Sequence, residues 1–127
     1  MLIKVAAILA EHPGLTVSFL TDLGGAVGIW QGESPTVGAT CHVELEADGI
    51  FTFGERAIQS DADHPSIAFA NGMIRITGIL ESLEDDGFAV IRLADSLMTF
   101  MSAGLDSLIG RFIQIEADHI DLHPYEI

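Results

Sequence analysis

The chain has 127 residues, which is close to the usual size of one domain and too short for two full ones. Hydrophobic residues make up 49% of the chain, which disfavours intrinsic disorder despite the high charge. The formal net charge of −14 repels phosphate backbones, so we expect no nucleic-acid partner and instead a cationic or basic one. We therefore predict one β-rich domain over residues 1–127.

The N-terminal segment, residues 2–10, admits two interpretations. Its apolar residues recur on one face of a helix, and a strand is the alternative. The uninterrupted apolar run covers only residues 5–10, which is shorter than the core of an ordinary signal peptide, and no run approaches membrane-spanning length. We expect a cytoplasmic protein without a membrane partner.

Later segments alternate apolar and polar residues with period two, which is typical of strands joined by hairpin turns. We predict three hairpins, given as strand, turn and strand: residues 15–20, 24–25 and 26–30; residues 43–46, 48–49 and 50–53; and residues 73–80, 84–87 and 88–93. Residues 59–70 are predicted to be a loop, because Asp61, Asp63 and Pro65 interrupt any regular pattern.

The C-terminal third contains the second helical alternative. Residues 96–100 fit a strand or the start of a helix, and a short helical turn is predicted at residues 106–109 before Gly110. Two further strands are predicted at residues 111–116 and 119–123. With six to eight strands and one or two short helical segments, the fold class is mainly β, a single antiparallel barrel or sandwich, with an OB-like barrel favoured.

No motif specifies an enzyme or a cofactor. The glycine-rich stretch at residues 24–28 lacks the spacing of a phosphate-binding loop, and no serine nucleophile elbow is present. Cys41 is the only cysteine, and its apolar neighbours indicate a small buried filler more than a reactive thiol. We therefore expect no catalytic residues and no cofactor.

One pattern near the C-terminus is compatible with a metal. His119, Asp121 and His123 would project from the same face of a strand, and imidazole with carboxylate suits zinc. However, same-face neighbours on a strand lie about 6.5–7 Å apart, so one straight strand serves a single ion poorly. A solvated polar strand is the simpler interpretation, and a metal-binding or small-ligand barrel remains the alternative function, beside a structural or assembly subunit.

Acidic side chains are densest on or beside two of the predicted hairpins. Their exposure at period two and at turns favours a surface that meets a basic protein, while a purely solvating role is the alternative. The candidate partner-binding residues are Glu44, Glu46, Asp48, Glu84, Asp85 and Asp86.

In size, charge, β-rich pattern and lack of a catalytic signature, the chain resembles the small acidic immunity proteins of bacterial polymorphic and contact-dependent-inhibition toxin systems. The most similar stretches are residues 37–46 and 109–124. The resemblance implies an inhibitor that neutralises a cognate basic toxin, for example a nuclease, by stoichiometric binding. It transfers no binding residues and leaves the oligomeric state open.

Overall fold

The computed structural model describes residues 1–12 and 14–125 and confirms that the fold is mainly β. All strands belong to one eleven-stranded sheet. The strands are β1 Leu2–Ala10, β2 Leu15–Thr21, β3 Gly24–Trp30, β4 Thr40–Thr52, β5 Ala57–Gln59, β6 Ser66–Ala70, β7 Met73–Leu83, β8 Phe88–Leu93, β9 Ser96–Ala103, β10 Phe112–Ala117 and β11 Ile120–Tyr125.

Five of these strands form a closed ring. Neighbouring strands pair in the order β1, β2, β3, β11 and β4, and antiparallel pairing of β4 with β1 closes the circle. Within the ring only β3 and β11 run parallel. Side chains alternate between the two faces of each strand, and in β2, β3 and β4 the buried, inward-facing positions are occupied by apolar residues.

The other strands extend the sheet from the same edge of β4 that β1 occupies, further along the strand, in the order β9, β8, β7, β10 and β5, with β6 paired to β7. A bridge between Phe53 and Ala57 connects the end of β4 to β5. One continuous cluster of buried apolar side chains fills the interior of both parts, and Phe19, Phe51 and Phe100 are its largest fully buried members.

The strand alternative is confirmed for both segments that the sequence left open between helix and strand. Residues 2–10 form strand β1, because they pair with β2 and, at the start, with β4, so two neighbouring strands satisfy the backbone. Residues 96–103 are strand β9. Over the residues that the structure describes there is no α-helix, and the predicted turn before Gly110 is a 3₁₀ turn over Asp106–Leu108.

The hairpin predicted at Asp48-Gly49 is also wrong. Strand β4 runs through these residues without reversing. Between Glu46 and Ile50, three residues of β4 lie opposite one residue of β9, Phe100, so residues 47–49 form a bulge. Gly49 has a φ of 102°, and Asp48 accepts a hydrogen bond from its amide at 3.0 Å. The sequence signal for a turn marks a bulge in a long strand.

The remaining strand predictions fare better. The hairpins β2–β3 and β7–β8 are confirmed as antiparallel pairs. The β7–β8 turn lies where the sequence places it, whereas the β2–β3 turn falls at Asp22 and Leu23, and the predicted turn residues Gly24 and Gly25 begin β3. The segment predicted as a loop at residues 59–70 instead contains the end of β5 and all of β6. Within the described part of the chain, no helix has the length and apolar character needed to cross a membrane.

Candidate functional site

Strand β4 lies at a fork in the sheet. His42 pairs with Leu2 of β1 on one side and Tyr125 of β11 on the other. Three residues later Leu45 pairs with β9 and still with β11. Strands β1 and β9 therefore share one edge of β4 and separate beside Glu44.

An open groove occupies the fork. Its main part has a volume of about 610 Å³, and a neighbouring part of about 360 Å³ shares Met1, Asp95, Ser96 and Tyr125 with it. The lining of the main part combines residues of β4, the β8–β9 turn and β11. Its side chains available to a ligand include Glu44, Glu46, Asp95, Leu97, His123 and Tyr125.

The groove is acidic. Glu44 and Glu46 point outward because Val43 and Leu45 alternate with them and are buried. Asp95 approaches from the turn after β8. Among the residues that the structure describes, neither a lysine nor an arginine lines either part of the groove.

The amino terminus of Met1, which lines the groove, and the nearby Arg92 are each engaged with other groups of the protein. The amino group of Met1 donates a hydrogen bond to the carbonyl of Val43 at 2.8 Å, and desolvation lowers its pKa while Glu44 opposes that shift. Arg92, which pairs with Leu97 across the strands, forms an ion pair with Glu81. The electrostatic character of the groove is therefore set by its carboxylates.

Strands β4 and β11 place a second set of polar groups on the same outer face. Asp121 lies directly opposite Glu46, and His123 is the next outward residue of β11. Ligand atoms of Glu46, Asp121 and His123 all lie within 4.8 Å of one another. His123 Nε2 is 3.3 Å from Glu46 Oε1, so these two side chains already form a hydrogen-bonded pair.

The structure divides the three residues that the sequence offered as the less favoured metal alternative, His119, Asp121 and His123. Asp121 and His123 converge with Glu46 of the neighbouring strand, whereas His119 Nε2 lies 3.5 Å from Asp48 Oδ2. His119 precedes the first residue of β11 and faces the bulge of β4. Two strands thus bring together the ligands that one strand could not.

The six acidic candidates also separate. Glu44 and Glu46 line the groove, and Asp48 belongs to the bulge. The set Glu84, Asp85 and Asp86 forms the β7–β8 turn beside Ser102, about 13 Å along β9 from the level of Leu45. Within that turn, Asp86 accepts a hydrogen bond from the amide of Phe88 at 2.9 Å, so its carboxylate has a structural role.

Cys41 is half-buried at the edge of the core, and burial raises the pKa of its thiol. A raised pKa leaves less thiolate at neutral pH, which disfavours nucleophilic chemistry. The sequence interpretation of this residue as a packing residue agrees with its position.

Several groove residues were missed from sequence. Asp95 lies between the predicted strand at residues 88–93 and a segment that fits a strand or the start of a helix, and nothing local in the sequence indicates that this junction approaches β4. Leu97 and Tyr125 are exposed by 47% and 40%, and no local pattern indicated that they share a groove with Glu44.

The chain matches no protein-family model, and no curated protein and no solved structure is significantly similar to it.

Proposed function

We propose that this protein binds a basic segment of a protein partner in the groove between β1 and β9. The observation that carries the proposal is the composition of that groove: carboxylates of Glu44, Glu46 and Asp95 around a cleft that lacks lysine and arginine over the described residues. Such a surface complements lysine or arginine side chains.

The groove also offers apolar contacts. Leu97 and Tyr125 are partly exposed, and the ring of Tyr125 lies 5.9 Å from that of His42, centroid to centroid. Partly buried aromatic residues are frequent anchors in protein interfaces. A partner segment with a basic residue next to an apolar one would use both features.

The charge of the whole molecule supports the same partner class. A net charge of −14 on a chain of 127 residues accelerates encounter with a positively charged protein and repels nucleic acid. Steering of this kind is strongest at low ionic strength, because exposed charges are screened over about 10 Å at 0.1 M salt.

In its finer form, the proposal is that of an inhibitor of the immunity-protein kind, acting in the cytoplasm on a cognate basic toxin without catalysis of its own. The resemblance in size and charge supports this hypothesis. We also propose that the ring of β1, β2, β3, β11 and β4 is an OB-like barrel, supported by its five strands and their closure. Its acidic surface is directed to protein and not to nucleic acid.

The test begins with affinity capture from a lysate of the source organism at low and high salt, followed by purification of the bound protein. Association kinetics are then measured for two variants that remove the same number of charges. Glu44→Gln/Glu46→Gln alters the groove, and Glu84→Gln/Asp85→Asn alters the distant turn.

We expect the groove variant to slow association about five- to tenfold at low salt, and the turn variant by less than about twofold. Equal slowing by both variants would mean that only net charge matters, and the groove would be excluded. Failure to recover a stoichiometric basic partner would contradict the proposed function. The finer hypothesis predicts that the partner is toxic when produced alone and harmless when produced with this protein.

A further inference from the structure

We propose that Glu46, Asp121 and His123 form a binding site for one divalent transition-metal ion of the zinc class. The site concerns the isolated protein and does not depend on the partner proposed above. We call these three residues the β4–β11 triad.

The register of the two strands creates the triad. Asp121 and Glu46 are directly opposed across the β4–β11 pair, and residues in that position have Cβ atoms about 4.5–5.5 Å apart. His123 lies two residues beyond Asp121 on the same face and reaches diagonally to Glu46. The three side chains are therefore held by backbone pairing and need no mobile loop.

The distances suit a small cation. Zinc–ligand bonds of about 2.0–2.1 Å place ligand atoms about 3.3–3.5 Å apart in a tetrahedral site. The contact from His123 Nε2 to Glu46 Oε1 is already 3.3 Å, and no pair of ligand atoms in the triad exceeds 4.8 Å. The remaining contraction is about 1.5 Å or less, which small rotations of these partly exposed side chains provide.

A neighbouring side chain orients one of the ligands. Gln31 donates a hydrogen bond from Nε2 to Oδ1 of Asp121 at 3.2 Å, from outside the triad. Hydrogen bonds of this kind fix the orientation of metal-binding carboxylates and leave the other oxygen available. One imidazole and two carboxylates favour zinc over calcium and magnesium, which prefer oxygen ligands alone.

The groove side of the triad remains open to solvent. Glu46 and His123 both line the groove, so a fourth ligand can be water or a small anion. Three protein ligands and one exchangeable position characterise zinc sites that are accessible to ligands.

His119 provides a matched control. It is a histidine of comparable exposure on the same part of the chain, with side-chain exposures of 44% for His119 and 45% for His123. It faces Asp48 and lies outside the triad. A variant of His119 removes an imidazole and an acid–histidine contact without touching the proposed ligands.

The experiment is titration of Zn²⁺ into the purified, tag-free protein by isothermal calorimetry, with the absorption of bound Co²⁺ as a spectroscopic readout. We expect saturable binding of one ion per chain, weakened at least about tenfold by His123→Ala and by Asp121→Asn, and changed by less than about twofold in His119→Ala. Gln31→Leu should weaken binding about tenfold through Asp121. Circular dichroism confirms that each variant is folded.

Absence of saturable Zn²⁺ binding to the wild-type protein would overturn the proposal and leave the triad as a hydrogen-bonded pair, His123 and Glu46, beside a second carboxylate. Equal weakening by His119→Ala and His123→Ala would also overturn it, because binding would then be spread over surface histidines. Preference for Ca²⁺ over Zn²⁺ would reject the assigned metal class. None of these outcomes decides whether a basic partner binds in the groove.

Discussion

The β7–β8 turn is bonded to β9 through Gly87, and this contact allows a quantitative test of the fold. The backbone amide and the hydroxyl of Ser102 both donate hydrogen bonds to the carbonyl oxygen of Gly87, at 2.8 and 2.9 Å. Gly87 has a φ of 96°, and a Cβ atom at this position would overlap the carbonyl oxygen of Ser102. We expect Gly87→Ala to push the turn away from β9 and break both hydrogen bonds.

Gly72 is the matched control. It also lies in a hairpin turn, with a φ of 76°, but among the described residues no atom beyond its chain neighbours comes within 4 Å of the added Cβ. Gly72→Ala therefore measures only the left-handed backbone conformation, at about 1 kcal/mol. The entropy that alanine removes from the unfolded chain is the same in both variants and cancels in their difference.

The two lost hydrogen bonds contribute about 1 kcal/mol each, so Gly87→Ala should lower the free energy of unfolding by about 3 kcal/mol and Gly72→Ala by about 1 kcal/mol. Urea unfolding can be followed by the fluorescence of Trp30, which is the only tryptophan and is 7% exposed. A difference between the variants of less than about 0.5 kcal/mol would refute the close approach of this turn to β9.

Two further predictions concern the core and the exposed loop before β6. Phe51→Ala should lower the free energy of unfolding by about 3–5 kcal/mol, because Phe51 is fully buried and packs edge-to-face on Phe100 with ring centroids 5.7 Å apart. In the same urea assay, Phe53→Ala should lower it by less than about 1.5 kcal/mol, because Phe53 is 44% exposed. Similar losses in the two variants would contradict the assigned burial. The side-chain hydrogen bond from His64 lowers the pKa of Asp63, so this interaction is present above that pKa and is lost as the pH falls through it. His64→Ala should therefore raise the pKa of Asp63 in an NMR titration. An unchanged pKa would show that the pair does not form in solution.

Local sequence signals predicted the elements that local chemistry controls. The β2–β3 and β7–β8 hairpins each close over a few residues, and glycine or acidic turn residues mark the reversal. The turn before β8 is predictable because its last residue, Gly87, has a positive φ, which favours glycine, and the same requirement makes Gly87 sensitive to substitution by alanine.

Long-range pairing decided the elements that the sequence predicted wrongly. Asp48-Gly49 has the composition of a hairpin turn, but β4 continues because β11 pairs with it up to Ala47 and β9 pairs again from Ile50. Both partners follow much later in the chain, so no local window contains them. For residues 2–10 the sequence left helix and strand open, and pairing with β2 and β4 selects the strand.

The candidate sites show the same division. The sequence identified Glu46, Asp121 and His123 as separate features, one acidic surface and one polar strand. Their convergence depends on the β4–β11 register, which joins residues 75 positions apart in the Glu46–Asp121 pair. The groove forms where β1 and β9 diverge along one edge of β4, and local sequence periodicity does not predict this divergence.

The two proposed sites share Glu46, and this sharing couples them. A metal ion on the triad would neutralise one of the carboxylates that attract a basic segment and would add positive charge to the lining of the groove. If both ligands bind as proposed, each must weaken the other by the same factor, because coupling between binding equilibria is reciprocal. The distant turn of Glu84 and Asp85 belongs to neither site and is outside this coupling. Because Glu46 belongs to both sites, it is the residue through which a bound metal would regulate access of the partner to the groove.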